Sequence, residues 1–327
     1  MKRLIVDLDV GSDDAVALLV LLKAEKDGLV KIEAICCSKG NTTTENVCKN
    51  VVRILELVGR MDIPIYRGCE EELISLKDKT DIYHGNDGFG DLKYDRVPDL
   101  SVIRKEPSPT GMNEIVSKHP GEIYLVCLGP LTNAALAMKL YKDFAPSLKE
   151  IYLMGGNYKA IGNVTKSAEF NFYSDPEAAY IVMKCARCPV TILTWETCTI
   201  PKFTMEWRFT VLGNVSDPMI QLLNRAEASI YRKRMTEYWY PCDAFLTLAL
   251  IYPECVEKEG VYHATIELHG RETRGQVVLD HLNEKEANVR VIKRVNEEFA
   301  KNIFLKTFRS GFANFKFPCK TIPTRHF

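Results

Sequence analysis

Between residue 3 and about residue 195, short apolar runs alternate with helical stretches. That alternation points to a mostly parallel sheet covered by helices on both faces. Residues 3–8, 31–37, 123–128, 151–154 and 190–195 read as buried strands, and 15–25, 45–58, 131–140 and 175–183 as helices. In the second helix Val47, Val51, Ile54, Leu55 and Val58 recur at helical spacing. Pro176 suits a first helical turn. Beyond Tyr262 the texture changes: alternating residues at 265–268 and 276–279 predict antiparallel edge strands, and 296–304 predicts a last helix. A length of 327 residues suits one or two domains, and no linker, repeat or low-complexity tract divides the chain. We read one domain over 1–327 with long inserted loops, ending in a tail, 310–327, to which no role is assigned.

Composition removes several classes. Hydrophobic residues make up 46% of the chain, enough for a sizeable core. Lys+Arg and Asp+Glu both number 43, so the bulk charge of a nucleic-acid binder is missing. The apolar run at 15–22 is eight residues long, against about 20 for a membrane span. Asp7 and Asp9 interrupt the opening apolar run, which argues against an export signal. With 11 cysteines, an odd number, the expectation is reduced thiols and a cytoplasmic location, so the sequons at Asn41, Asn163 and Asn214 carry little weight.

In a parallel sheet of this kind ligands bind at the carboxyl ends of the strands. After the first strand stand Asp7, Asp9, Asp13 and Asp14, with no basic residue between Arg3 and Lys23. Asp7 and Asp9, two apart, are expected on one face of the strand; Gly11 permits a tight turn, and Asp13 and Asp14 open the next helix. Two carboxylates about 5 Å apart repel by roughly 3 kcal/mol at an effective dielectric near 20. The cluster therefore needs a cation, shared protons or solvent. All-oxygen donors favour Ca²⁺ or Mg²⁺ over zinc. Asp243, between the aromatic run 238–240 and an apolar helix at 244–252, is either an ordinary helix cap or a distant ligand closing a cation site. Residues 84–91 form a glycine-rich loop without phosphate-loop spacing. Asn163, Glu169 and Asn171 offer donors and acceptors suited to a polyol. Cys185 and Cys188 have metal-like spacing but close a helix and lack a second pair; Cys36 and Cys37 read as core. His119, His263, His269, His281 and His326 have no motif context.

Taken together these residues resemble the nucleoside hydrolase family, the inosine/uridine-preferring N-ribohydrolases. The signature D-x-D-x-G-x-D-D-A stands here as Asp7, Asp9, Gly11, Asp13, Asp14 and Ala15. The likeness continues through Gly40-Asn41, His84-Gly85, Gly129 to Asn133, Leu153 to Gly156, Ala168 to Asn171 and Asp175 to Ala179, covering roughly 3–305. The resemblance implies a Rossmann-like α/β fold and calcium-dependent hydrolysis of the N-glycosidic bond of ribonucleosides to ribose and free base. It implies Ca²⁺ held by Asp9, Asp14, the carbonyl of Leu128 and Asp243, with Asp9 also the general base toward a calcium-bound water. It places Asp13, Asn41 and Asn171 on the ribose hydroxyls, with Asp243 beside them. Asn163 and Glu169 go to the 5′ end, Met154 against the sugar, His84 near the 5′ or base side, and Asp7 behind the ligands, orienting them. It also implies a homo-oligomer, a homodimer or homotetramer.

The residue types suit that chemistry independently. Glycosidic cleavage builds positive charge on the ribose, which nearby carboxylates stabilise more than they stabilise neutral substrate. One position departs from the pattern. Many family members carry a histidine just before the last metal-binding aspartate, whereas this chain has Cys242. Cys242 is either a weaker acid for the departing base or a small buried residue beneath the pocket; Tyr231, Tyr238, Trp239 or Tyr240 could stack on the base or relay a proton. Two other functions compete. Asp7-Leu-Asp9-Val resembles the nucleophile motif of haloacid-dehalogenase-like Mg²⁺ phosphatases, with Asp7 attacking. A non-catalytic calcium- or nucleoside-binding protein would also fit, given Cys242.

Overall fold

A computed structural model of the chain describes residues 1–74, 82–232, 234 and 236–309. The tail 310–327, with His326, lies outside the described residues.

In chain order the first half runs β1 (Lys2–Leu8), α1 (Ser12–Lys26), β2 (Val30–Cys37), α2 (Thr44–Val58), β3 (Ile65–Arg67), α3 (Ser108–Lys118), β4 (Ile123–Cys127), α4 (Thr132–Leu140) and β5 (Leu148–Met154). It continues through α5 (Phe170–Ser174), α6 (Pro176–Cys185), β6 (Val190–Leu193), α7 (Trp195–Cys198), α8 (Pro218–Arg232) and α9 (Cys242–Ile251). The last part is β7 (Val256–Tyr262), β8 (Ala264–Ile266), β9 (Val277–Leu279), β10 (Val289–Val295) and α10 (Glu297–Arg309).

The main sheet has the order β3-β2-β1-β4-β5-β6-β10-β7. All neighbours pair in parallel except β10 with β7. The α/β class predicted from the alternation is therefore the class observed. The antiparallel strands near the C-terminus divide differently from expectation. The main sheet ends on β7, whereas the alternating segments beyond Tyr262 form β8 and β9, a separate antiparallel pair.

Two cores sandwich the sheet. Leu4, Val6 and Leu8 of β1 point into one, with residues of α1, α2, α8, α9 and α10. Ile5 points into the other, with residues of α3, α4 and α6. This is the period-two consequence of burying both faces of a strand. Helix α1 is apolar almost all round (Ala15 to Leu22 are buried), which suits a helix walled by sheet and α9. The strand order reverses about β1: β2 lies on one side and β4 on the other. The carboxyl ends of β1 and β4 meet at that switch, the usual ligand position in such sheets.

Candidate active site

The candidate site is built on Asp9, which follows β1, and on the first turn of α1. Gly11 caps α1, and its amide donates to Asp14 Oδ2 (2.8 Å), fixing that carboxylate at the helix N-terminus. Asp9 Oδ2 accepts the amide of Asn41 (2.8 Å). Two glycines let backbone close around it: a Cβ on Gly40 would overlap Oδ2, and one on Gly129 would come 2.6 Å from Oδ1. Helix α9 packs along α1 and brings in Asp243, which lies in its first turn behind the capping residue Pro241. Asp13, Asp14 and Asp243 each place one carboxylate oxygen within 4.8 Å of the others.

The electrostatics of this group are unfavourable as it stands. Burial pushes the Asp13 carboxyl up to about 8 and Asp14 up to about 6, with repulsion from Asp14 adding to the first. Burial and the neighbouring aspartates also hold Asp9 and Asp243 well above the usual carboxylate range. One oxygen of Asp13 and one of Asp14 are buried without a hydrogen-bond partner. Orphaned acceptors in an all-oxygen cluster are what a hard cation requires. The carbonyl of Leu128, just past β4, accepts Asn171 Nδ2 (2.7 Å) and keeps a second lone pair.

The other residues singled out from sequence surround this centre in different ways. Asn171 Nδ2 also reaches the Met154 carbonyl (3.1 Å) and its sulfur (3.5 Å), so Met154, Asn171 and Leu128 form one wall. Glu169 caps α5 by accepting the amides of Gly156 (2.8 Å), Asn171 (2.9 Å) and Phe172 (3.1 Å). Burial pushes its carboxyl up to about 7. Asn163 is exposed and accepts the Phe170 amide through Oδ1 (2.9 Å). Asn41 and His84 converge on Gly11, where a Cβ would meet His84 Nε2 at 2.8 Å and Asn41 Nδ2 at 2.9 Å. The Ser12 amide donates to His84 Nδ1 (3.2 Å), which puts the ring proton on Nε2, 3.5 Å from Asp13. Burial, aided by Arg234, drops His84 to about 3, so it is a neutral ring. Tyr231 is buried at the end of α8, and burial pushes its phenol well above the ordinary range. The glycine-rich loop uses its own carboxylates: Asp87 accepts the amides of Phe89 and Asp91, and Asp91 accepts that of Asp87.

Two expectations are corrected. Asp7 and Asp9 do not act from one face. Strand β1 ends at Leu8; Asp7 is drawn to the α4 side, where Oδ1 accepts Ser38 Oγ (2.7 Å) and Asn133 Nδ2 (2.9 Å), while Asp9 faces Asp14. Turned toward Ser38 and Asn133, Asp7 does not face the carboxylate cluster and is not placed to attack a substrate held there. Trp239 does not line the pocket. It is 1% exposed, packs edge-on against Phe203 and Phe304, and donates its indole N–H to Glu227 (2.8 Å). Cys242 is 5% exposed and shares a hydrogen bond with Cys198; that contact and burial push its thiol well above the ordinary range.

Sequence reading passed over Ser12, Ser38, Tyr83, Glu196 and Glu227. Only Ser12, inside the acidic motif, had a local signal.

With this geometry in place the comparisons are decisive. The family model described as inosine-uridine preferring nucleoside hydrolase matches residues 4–302. The chain belongs to that family. Probable uridine nucleosidase 2 of Oryza sativa subsp. japonica is 39% identical over 184 residues, 55% of this chain and 53% of that protein. The chain thus spans about half the length of such plant relatives. Pyrimidine-specific ribonucleoside hydrolase RihA of Photobacterium profundum is 32% identical over 308 residues, 91% of this chain and 95% of the other. A solved inosine-guanosine nucleoside hydrolase superposes with a TM-score of 0.87 at 28% identity, covering 94% of this chain and 99% of its own. Family membership overturns the phosphatase reading.

Proposed function

We propose that this protein hydrolyses the N-glycosidic bond of ribonucleosides, giving ribose and free base, in a calcium-dependent reaction. The observation that carries the proposal is the convergence of Asp9, Asp13, Asp14 and Asp243 in one buried cluster, with two acceptor oxygens left unpartnered. Asp9, Asp14, Asp243 and the Leu128 carbonyl would hold the calcium. When bound, the ion would offset the carboxylate repulsion, anchor the ribose diol and lower the pKa of water.

Asp9 is the general base. It takes a proton from the attacking water, whose oxygen bonds to C1′ while the C1′–N bond breaks; the electron pair leaves with the base, which takes up a proton from solvent water to become the free base. Asp9, Asp13 and Asp14 face the positive charge that develops on the ribose. Asp13, Asn41 and Asn171 hold the secondary hydroxyls, with Asp243 beside them. Met154 packs against the sugar, Glu169 and Asn163 hold the 5′ end, and neutral His84 offers Nε2–H on that side. Tyr231 walls the base side. The resemblance supports a homodimer or homotetramer, and the described cysteines, all free thiols, suit a reducing cytoplasm. Among the described residues no helix is long and apolar enough to cross a membrane.

The test is release of free ribose from uridine, cytidine, inosine and guanosine, with and without a calcium chelator, since the relatives' names span both base classes. Calcium-dependent ribose release from at least one supports the reading. Tight nucleoside binding without ribose release over hours would favour the non-catalytic binding protein instead.

A further inference from the structure

Glu196, in the first turn of α7 just past β6, is 4% exposed yet pairs with no cation among the described residues. Its carboxylate instead accepts a row of backbone amides from the loop that leaves β5. These are Tyr158 (3.1 and 3.0 Å, one to each oxygen), Lys159 (2.8 Å) and Ile161 (3.3 Å). To wrap the carboxylate the chain turns through Ala160 at φ 58°, a left-handed conformation that a residue with a Cβ rarely adopts. Lys159, Ala160 and Ile161 are otherwise exposed, so packing does not hold this turn. The same loop carries Asn163, two residues beyond the last captured amide, and its side chain is tied to the Phe170 amide next to Glu169.

We propose that Glu196 is a positioning residue: by gathering the amides of 158, 159 and 161 it folds the loop after β5 and fixes Asn163 on the 5′ side of the ribose. This rests on the nucleosidase reading and on Asn163 and Glu169 meeting the 5′-hydroxyl. A carboxylate suits the task because both oxygens accept and each bond is charge-assisted. A glutamine keeps one acceptor and turns its NH₂ toward amides that also donate. Holding the loop in advance spares the substrate the cost of ordering it.

The experiment compares kcat/KM for uridine and 5′-deoxyuridine, or inosine and 5′-deoxyinosine if the pyrimidine is not cleaved, in wild type and Glu196→Gln. Amide hydrogen exchange of 157–163 is followed in parallel. The wild type should prefer the 5′-hydroxyl substrate. In Glu196→Gln that preference should fall roughly tenfold, the equivalent of one net hydrogen bond. Exchange should quicken in 157–163 while β1 and α1 stay protected. Glu196→Asp keeps the charge on a shorter arm, should recover part of the preference, and serves for the comparison if Glu196→Gln does not fold. Faster exchange with an unchanged preference overturns the proposal and leaves the nucleosidase reading standing. A wild type that cleaves both substrates equally overturns the 5′ assignment and this proposal together. A wild type that releases ribose from none of uridine, cytidine, inosine and guanosine overturns the nucleosidase reading as well.

Discussion

Replacing Glu227 by Gln would test how the pocket is supported from beneath. Glu227 and Arg208 are each 0% exposed, with Arg208 Nε 2.6 Å from Glu227 Oε2. The contact is an ion pair rather than an aligned hydrogen bond, because neither of those atoms has a hydrogen-bond partner. The other Glu227 oxygen accepts the Trp239 indole, and Arg208 Nη1 donates to Asn224 Oδ1 (2.8 Å). Burial pushes the Glu227 carboxyl up, while Arg208 and Trp239 pull it down. A charge separation of about 4 Å at an effective dielectric near 20 gives about 4 kcal/mol. That matches the roughly 3–5 kcal/mol lost when one partner of a buried pair is removed. With a urea m-value of about 3 kcal/mol per M, the unfolding midpoint of Glu227→Gln should fall by about 1 M or more at fixed protein and calcium concentrations. Because the pair costs desolvation to bury, the double replacement Arg208→Met with Glu227→Met should recover more than half of that loss. A Glu227→Gln midpoint within about 0.3 M of wild type would refute the argument that an uncompensated guanidinium is what destabilises the variant.

Asp9→Asn should lower kcat by about 10²–10⁴-fold, the usual worth of a general base, with KM changed far less; a variant keeping most of the wild-type rate of ribose release would place the base elsewhere. Calcium at 100 times its Kd should stabilise the fold by about 2.7 kcal/mol, read as a rise in melting temperature that Asp243→Ala abolishes; equal melting with chelator and with calcium would contradict the metal site. Burial raises Asp7 from 3.8 to about 7. Its neutral form therefore favours folding fully below about pH 4, and that contribution is lost as pH rises through 7, amounting to about 4 kcal/mol. Asp7→Asn stays neutral, so the stability of wild type relative to Asp7→Asn should fall by about that much between pH 4 and 8 in urea titrations; a flat difference would mean that Asp7 is already ionised in acid.

The sequence by itself determined the class of the fold and the opening half of the site. Strand and helix periodicities are local, so residues 3–8 and 45–58 could be read within a window of a few turns, and the observed β1 (Lys2–Leu8) and α2 (Thr44–Val58) differ from them by one residue at their starts. The motif from Asp7 to Asp14 is equally local, and repulsion among its carboxylates already implied a need for compensation. Short or weakly patterned elements escaped, including β3 and α3, and β10 with its antiparallel partner β7. Only the tertiary structure decided which carboxylates belong together. The packing of α9 on α1 brings Asp243 to Asp14 across more than 200 residues, whereas Ser38 and Asn133 draw Asp7 away from Asp9, only two residues distant. Trp239 went to a buried carboxylate on α8 rather than to the pocket, and Glu196 took hold of a loop almost 40 residues earlier. Such pairings follow from which buried donors and acceptors must satisfy one another once the sheet has closed, and no spacing along the chain encodes that.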